Sequence, residues 1–233
     1  MNILAIDTCL GALSVAIGRD HPDGRFCVTT RHERRTTGHA ERLVPMIDAE
    51  MARAGLDFRD LARVAVTLGP GTFTGVRTGI AVARALRLAG GMDVVGTSSL
   101  AVMARRMFEI AEEDDALRPV MIAVDARRGG LYAQLFGRDA LDPLTEPSEL
   151  TAGAAAEIAA RHGARLAGSG AALIAAAGGG SEPPRIACDD LEPCAGDLAW
   201  LARRLAPLDD VAPLYIRPPD AKPQADKRLT RAS

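Results

Sequence analysis

The sequence predicts an α/β protein built from two related halves. Segments typical of strands alternate with segments typical of helices along most of its 233 residues, and this alternation favours an α/β fold. One layout also occurs twice, at residues 3–18 and 120–137: a strand ending in an aspartate, a turn that contains glycine, a returning strand and a glycine. Asp7 and Asp125 hold equivalent places in the two copies. We interpret the repeat as an internal duplication, with chance similarity between two β-hairpins as the alternative.

In the first half, two predicted helices lie between strands. The first helix begins near Thr36 and is expected to stop at Gly55, because glycine commonly ends helices. Pro45 lies inside it, where a proline kinks a helix or marks its start. The predicted segments are strands 3–7 and 12–18, the helix ending at residue 54, strand 62–68, a helix at 74–88 and strand 94–97.

The second half repeats the mixture and then changes character. We predict a helix at 99–113, strands at 120–125 and 131–137, a helix at 152–162, a strand at 165–167 and a helix at 197–205. From Pro218 onward the chain is polar, contains prolines and has no periodicity, which indicates a mobile tail. The predicted organisation is an N-terminal lobe at 1–100, a C-terminal lobe at 101–217 and the tail at 218–233.

Composition excludes several classes of protein and of chemistry. The chain is 48% hydrophobic and 25% charged, as in ordinary globular domains, and its net charge of -2 gives no footprint for unaided binding to nucleic acid. Its 28 basic residues include only two lysines, Lys222 and Lys227, which leaves 26 arginines. The body of the chain therefore has no lysine to form a Schiff base or to serve in a phosphate-binding loop.

Cysteine and histidine spacing argues against a metal site. The four cysteines form no C-x-x-C pair, and the four histidines form no H-x-x-x-H pair. The first residues do not resemble a signal peptide, and no run of about 18 apolar residues is present. We therefore expect a cytoplasmic protein with free thiols, without a metal, a cofactor or a membrane association.

A glycine-rich stretch at residues 69–75 (GPGTFTG) follows a predicted strand and opens a helix. Backbone N–H groups at a helix N-terminus attract anions, so this stretch could bind a phosphate. Its spacing matches neither the dinucleotide fingerprint nor the Walker loop. The alternative is a tight turn from strand to helix, in which glycine adopts a positive φ.

Two helices in the first half could form either core or interface. Gly75, Gly79 and Ala83 make a stripe of small side chains that would allow another helix to come close, within one domain or from another subunit. We expect the two helices to lie adjacent and to leave apolar groups outside the sheet, ringed by arginines. The candidate partner-binding residues are Leu43, Met46, Ile47, Val76, Gly79, Ile80, Ala83 and Arg87.

Five blocks of sequence resemble one family across most of the chain. They are residues 3–8 (ILAIDT), 39–47 (HAERLVPMI), 69–79 (GPGTFTGVRTG), 124–129 (VDARRG) and 213–218 (PLYIRP). On these blocks the chain resembles the TsaB (YeaZ) family, whose members take part in making threonylcarbamoyladenosine in bacterial tRNA. The resemblance implies an actin/hexokinase-like (ASKHA) fold with two related lobes, which agrees with the repeat.

The resemblance also implies partners and a vestigial site. The implied partners are a TsaD-like catalytic subunit, a TsaE-like ATPase and a second copy of the chain, with tRNA met only through the complex. Actin-like folds place Asp7, Thr8 and Asp125 at a nucleotide cleft, but neither acid is followed by the D-x-G spacing of a working site. We therefore predict no catalytic residues and a scaffold role; the alternative is an autonomous ATP-dependent kinase or a glycoprotease-type metallopeptidase.

Overall fold

The computed structural model describes residues 1–35, 37–111, 117–126, 129–179 and 184–216, so the predicted tail and the Arg127–Arg128 pair lie outside the described residues. Ten strands and six α-helices are found within these ranges. The strands are β1 (Asn2–Asp7), β2 (Ala12–Asp20), β3 (Phe26–Arg34), β4 (Arg63–Thr67), β5 (Asp93–Thr97), β6 (Val120–Asp125), β7 (Leu131–Phe136), β8 (Ser148–Leu150), β9 (Arg165–Ala167) and β10 (Ile186–Cys188). The helices are α1 (His39–Ala54), α2 (Phe73–Gly90), α3 (Ser99–Glu109), α4 (Ala152–Arg161), α5 (Ala171–Ala177) and α6 (Ala195–Ala202).

The strands form two five-stranded sheets with the same topology. The first sheet has the order β3-β2-β1-β4-β5 and the second has the order β8-β7-β6-β9-β10. In each sheet the first two strands of the lobe pair antiparallel, and the first strand also pairs parallel with the fourth. The repeated segments at 3–18 and 120–137 thus occupy equivalent positions. This equivalence confirms the predicted α/β fold of two related lobes.

Helices cover both faces of both sheets, which gives five layers. One face of the first sheet packs on α1 and α2, and its other face packs on α3 and α6. The second sheet packs its inner face on the same middle layer and its outer face on α4 and α5. Helix α6 comes from the segment predicted to belong to the second lobe, yet it contacts β1 and β2 of the first. The middle layer therefore joins the lobes into one structure.

Local sequence signals set the ends of the helices. Gly55, with a φ of +62°, ends α1. Thr72 caps the start of α2, because its side-chain oxygen accepts a hydrogen bond from the N–H of Gly75 at 3.2 Å. Helix α1 runs through Pro45 and starts at His39, six residues before it. None of the helices within the described ranges has the length and apolarity that a membrane span requires.

Candidate functional site: the interlobe cleft and the outer helices

The glycine-rich stretch is shaped by contact with the turn between β1 and β2. A Cβ atom at Gly71 would lie 2.2 Å from the carbonyl oxygen of Cys9, and one at Gly75 would lie 2.1 Å from that of Thr8. Gly69 has a φ of +107°, which favours glycine. The N–H of Thr72 donates to the carbonyl of Cys9 at 2.6 Å. The glycines thus let two backbone segments approach, as the tight-turn interpretation of this stretch predicts.

Asp7 is enclosed by the first lobe. It is 0% exposed, and its Oδ1 accepts a hydrogen bond from the hydroxyl of Thr67 at 2.5 Å. The thiol of Cys9 donates in turn to the Thr67 oxygen at 3.1 Å, and burial raises the pKa of that thiol well above its usual value. No described residue hydrogen-bonds the buried Oδ2 of Asp7. Burial raises the pKa of Asp7 to about 7, against the opposing hydrogen bonds from Thr67 and Cys9.

A cleft of about 530 Å³ lies between the lobes and separates the two repeated aspartates. Asp125 lines it and is exposed, whereas Asp7 and Thr8 lie behind its wall. The hydroxyl of Thr8 donates to the carbonyl of Gly75 at 2.7 Å, away from the cleft. The prediction that Asp7, Thr8 and Asp125 share a cleft is therefore wrong for the first two. The glycine-rich stretch, which packs directly on the first turn, is the physical reason.

Glu192 also lines the cleft, although no sequence pattern predicts a functional residue at this position. Its Oε2 accepts a hydrogen bond from the N–H of Gly11, in the first turn, at 3.2 Å. Desolvation raises the pKa of Glu192, while the bond from Gly11 and the charge of Arg34 oppose that rise. An ion pair between Arg34 and Asp190, at 2.9 Å, holds the same segment against β3. Since 181 residues separate Glu192 from Gly11, no local sequence signal could have found the contact.

The predicted partner-binding residues lie in the core of the first lobe. Helices α1 and α2 are adjacent, as expected, but their apolar stripes face the sheet. A Cβ atom at Gly79 would lie 2.7 Å from the hydroxyl of Thr8 and 3.3 Å from Val66. The expectation that these side chains remain outside the sheet is therefore wrong. The residues concerned are Leu43, Met46, Ile47, Val76, Gly79, Ile80 and Ala83, all buried.

The opposite side of the same helices is exposed and largely apolar. Val44 is 49% exposed, Phe73 62% and Leu88 91%. Small side chains lie among them and are exposed as well. The outer face, as we call this surface, combines charged and apolar side chains. Its charged residues are Glu41, Asp48 and Arg77, and its apolar residues are Val44, Pro45, Ala49 and Ala52 on α1 and Phe73, Ala81, Ala85 and Leu88 on α2.

Arg87, a predicted partner-binding residue, contacts a C-terminal segment of its own chain. Its guanidinium donates to the carbonyls of Leu208 and Asp209, at 2.9 and 3.2 Å. Arg84 pairs with Asp210 at 3.0 Å. Both arginines fasten residues 208–215, the C-terminal strap, along α2. Arg87 therefore anchors the chain's own backbone.

The described residues contain no group of three or more histidine, cysteine or acidic side chains placed to hold a metal ion. The cleft's charged side chains within the described ranges are the carboxylates of Asp125 and Glu192.

Comparisons with known proteins agree on one family. A family model described as TsaD, tRNA N6-adenosine threonylcarbamoyltransferase, matches residues 33–166. The chain is 36% identical to the tRNA threonylcarbamoyladenosine biosynthesis protein TsaB of Escherichia coli over 60% of this chain and 56% of that protein. It thus spans about half the length of the curated TsaB relative. An uncharacterized protein of Mycobacterium tuberculosis is 34% identical over 96% of this chain and 95% of its own.

A solved structure extends the similarity to nearly the whole chain. YeaZ from Pseudomonas aeruginosa superposes with a TM-score of 0.72 at 26% identity, covering 92% of this chain and 99% of that one. The family model spans three of the five matching sequence blocks, and the structural match covers nearly the whole chain. The chain therefore belongs to the family that the TsaD model describes and, within it, to the TsaB (YeaZ) proteins.

Proposed function

We propose that this chain is a non-catalytic partner subunit for threonylcarbamoyl transfer to the adenosine next to the anticodon of tRNA. It acts by forming a heterodimer with a TsaD-like catalytic subunit. The name of the E. coli relative, a tRNA threonylcarbamoyladenosine biosynthesis protein, supports the pathway. The outer face of α1 and α2 carries the proposal, because large apolar side chains exposed on one surface and accompanied by charged residues are typical of a protein–protein interface.

The interlobe cleft supports a role without catalysis. A kinase of this fold needs an acid and open backbone donors beside the nucleotide phosphates. Here Asp7 is enclosed, and the N–H of Gly11 is engaged by the carboxylate of Glu192. A phosphate would have to displace that carboxylate to reach the N–H of Gly11. These contacts favour the scaffold over the autonomous kinase or glycoprotease-type metallopeptidase.

Further partners follow from the same proposal. In isolation the outer face is covered by a second copy of the chain, and the homodimer and the heterodimer compete for it. A TsaE-like ATPase joins the assembled complex, and tRNA is met only through that complex. The free thiols of all four cysteines suit a cytoplasmic setting for this work.

The test of this proposal places a charge on the outer face. Ala85→Glu introduces a carboxylate at an exposed helical position, and Ala160→Glu makes the same change at an exposed position of α4 in the other lobe. Burying an unpaired charge at an interface costs several kcal/mol, so we expect Ala85→Glu to weaken the complex with the TsaD-like subunit by about tenfold or more. Binding is measured by titration calorimetry, and transfer activity by reconstitution with tRNA.

The control and the contrary outcomes are distinct. Ala160→Glu should bind and support transfer like the unmodified chain. Equal binding by the two variants would show that the interface lies elsewhere. Threonylcarbamoyl transfer or ATP hydrolysis by the purified chain alone would contradict the non-catalytic role.

A further inference from the structure

Arg77 is held between two aromatic side chains on the outer face. Its guanidinium carbon lies 3.5 Å from the centre of the Phe73 ring, one helical turn earlier on α2. Its Nε and Nη2 both donate to the hydroxyl of Tyr215, at 3.1 and 2.8 Å. Phe73 and Tyr215 are 62% and 47% exposed, and Arg77 is exposed between them. Stacked and hydrogen-bonded in this way, the guanidinium has a fixed direction.

The C-terminal strap gives Tyr215 a fixed position. The backbone of the strap donates from Leu208 to the carbonyl of Val94 at 2.8 Å, and from Leu214 to that of Leu68 at 2.7 Å. Between these points Val211 is buried in the core of the first lobe. Since both ends of the strap are tied to the sheet, ordering Arg77 at an interface costs little further side-chain entropy.

Arg77 also has hydrogen-bonding capacity to spare. A guanidinium has five N–H donors, and two of them go to Tyr215. No acidic side chain in the described ranges forms an ion pair with it, whereas Arg84 on the same helix pairs with Asp210. A pre-oriented fork of donors without an anion is suited to bind a carboxylate.

The outer face of α1 offers carboxylates of the matching charge. Glu41 and Asp48 are exposed there, next to Val44 and Pro45. Neither forms an ion pair among the described residues. In a two-fold assembly each surface meets its own copy, so an acidic α1 and a basic α2 on one face complement each other across the axis.

We propose that Arg77, clamped by Phe73 and Tyr215, is the anchor of the subunit interface and binds a carboxylate of α1 from a second copy of the chain. This inference rests on the proposed function, because it assumes that the outer face is the interface. It adds the residue that fixes the register and makes the C-terminal strap part of the binding surface. Tyrosine and arginine are enriched among the few residues that dominate binding energy at protein interfaces, which agrees with this role.

The experiment measures the homodimer by sedimentation at several salt concentrations. Arg77→Lys keeps the charge but loses the stack and the fork, and we expect it to weaken the dimer by about tenfold or more. Tyr215→Phe removes only the hydroxyl that orients the fork, and we expect about a threefold loss. Salt should weaken the unmodified dimer and have little effect on Arg77→Gln. Thermal unfolding of each variant establishes that the chain remains folded.

Charge exchange identifies the partner group. Arg77→Glu should abolish the dimer, and a second change, Asp48→Arg or Glu41→Arg, should restore it. Rescue by neither would overturn the proposal. Loss of tRNA binding by the complex without loss of the dimer would also overturn it, in favour of an RNA phosphate. If Ala85→Glu yields monomers while Arg77→Lys still dimerises, the assignment of Arg77 as the anchor is wrong, and the proposed function stands.

Discussion

The two repeated turns share a topology but differ in exposure. In the first lobe, the turn after β1 is covered by the glycine-rich stretch and capped by Glu192, and Asp7 is fully buried. In the second lobe, Asp125 lies open to the cleft, and its N–H donates to the hydroxyl of Ser169 at 3.1 Å. Duplication has therefore kept the backbone arrangement while the surroundings of the two acids have diverged. One aspartate is part of the core, and the other is part of a surface.

The largest expected effect distinguishes the two acids by their pH dependence. The pKa of Asp7 is about 7 in the folded chain, against 3.8 as its ordinary value, so the folded state binds the extra proton. The contribution of Asp7 to the free energy of unfolding is therefore fully present below about pH 4. It falls by about 4 kcal/mol in total as the pH rises from about 4 through about 7. Asp7→Asn should remove that decline, as measured by urea unfolding between pH 4 and pH 8.

The matched control for that experiment is Asp125→Asn in the exposed turn. It should leave the decline of stability with pH in place. A decline that persists in Asp7→Asn would show that another group carries it. An equal flattening in both variants would contradict the difference in environment between the two turns.

The second effect tests why the first turn is covered. Gly75→Ala places a methyl group against the carbonyl oxygen of Thr8, and we expect a loss of about 3 kcal/mol of unfolding free energy. Gly153, in α4 of the second lobe, has no atom within 4 Å of an added Cβ. Gly153→Ala should therefore stabilise the chain by about 0.5 to 1 kcal/mol, since alanine favours helices. Denaturation curves of the two variants that shift in the same direction would contradict this contrast.

The sequence was sufficient to predict the strands and helices that carry strong periodicity or clear ends. Strand β6, helix α4 and the C-terminal end of α1 lie within a residue of their predicted places. Strand β3 was missed because it forms the exposed edge of its sheet, where Arg31, Glu33 and Arg34 interrupt any apolar alternation. Strands β8 and β10 were also missed, because neither contains a buried residue that would give an apolar pattern, whereas the equally short β9 is buried throughout.

The candidate interface shows where periodicity stops being informative. Spacing identified the apolar stripe of Leu43, Met46 and Ile47, but a stripe that packs on a sheet and one that meets a partner have the same spacing. The exposed side of the two helices is recognised only once the sheet is in place, because alanines in a helical sequence do not indicate whether they face the core or a partner. The contacts of Arg77 with Tyr215 and of Gly11 with Glu192 join residues 138 and 181 positions apart, beyond any local pattern.

The smallest expected effect compares the hydrogen bonds that hold the two turns. Glu192→Ala removes the carboxylate from the half-buried N–H of Gly11, whereas Ser169→Ala removes the hydroxyl from the N–H of Asp125 in an exposed turn. Water can replace the lost partner more readily at the exposed site. We therefore expect a cost of about 1 kcal/mol for Glu192→Ala and about 0.5 kcal/mol or less for Ser169→Ala. Amide hydrogen exchange followed by NMR should show exchange at Gly11 accelerated by about fivefold in the first variant and exchange at Asp125 nearly unchanged in the second. A larger acceleration at Asp125 in Ser169→Ala than at Gly11 in Glu192→Ala would mean that the second turn depends more on the deleted hydrogen bond, which would reverse the contrast between the lobes.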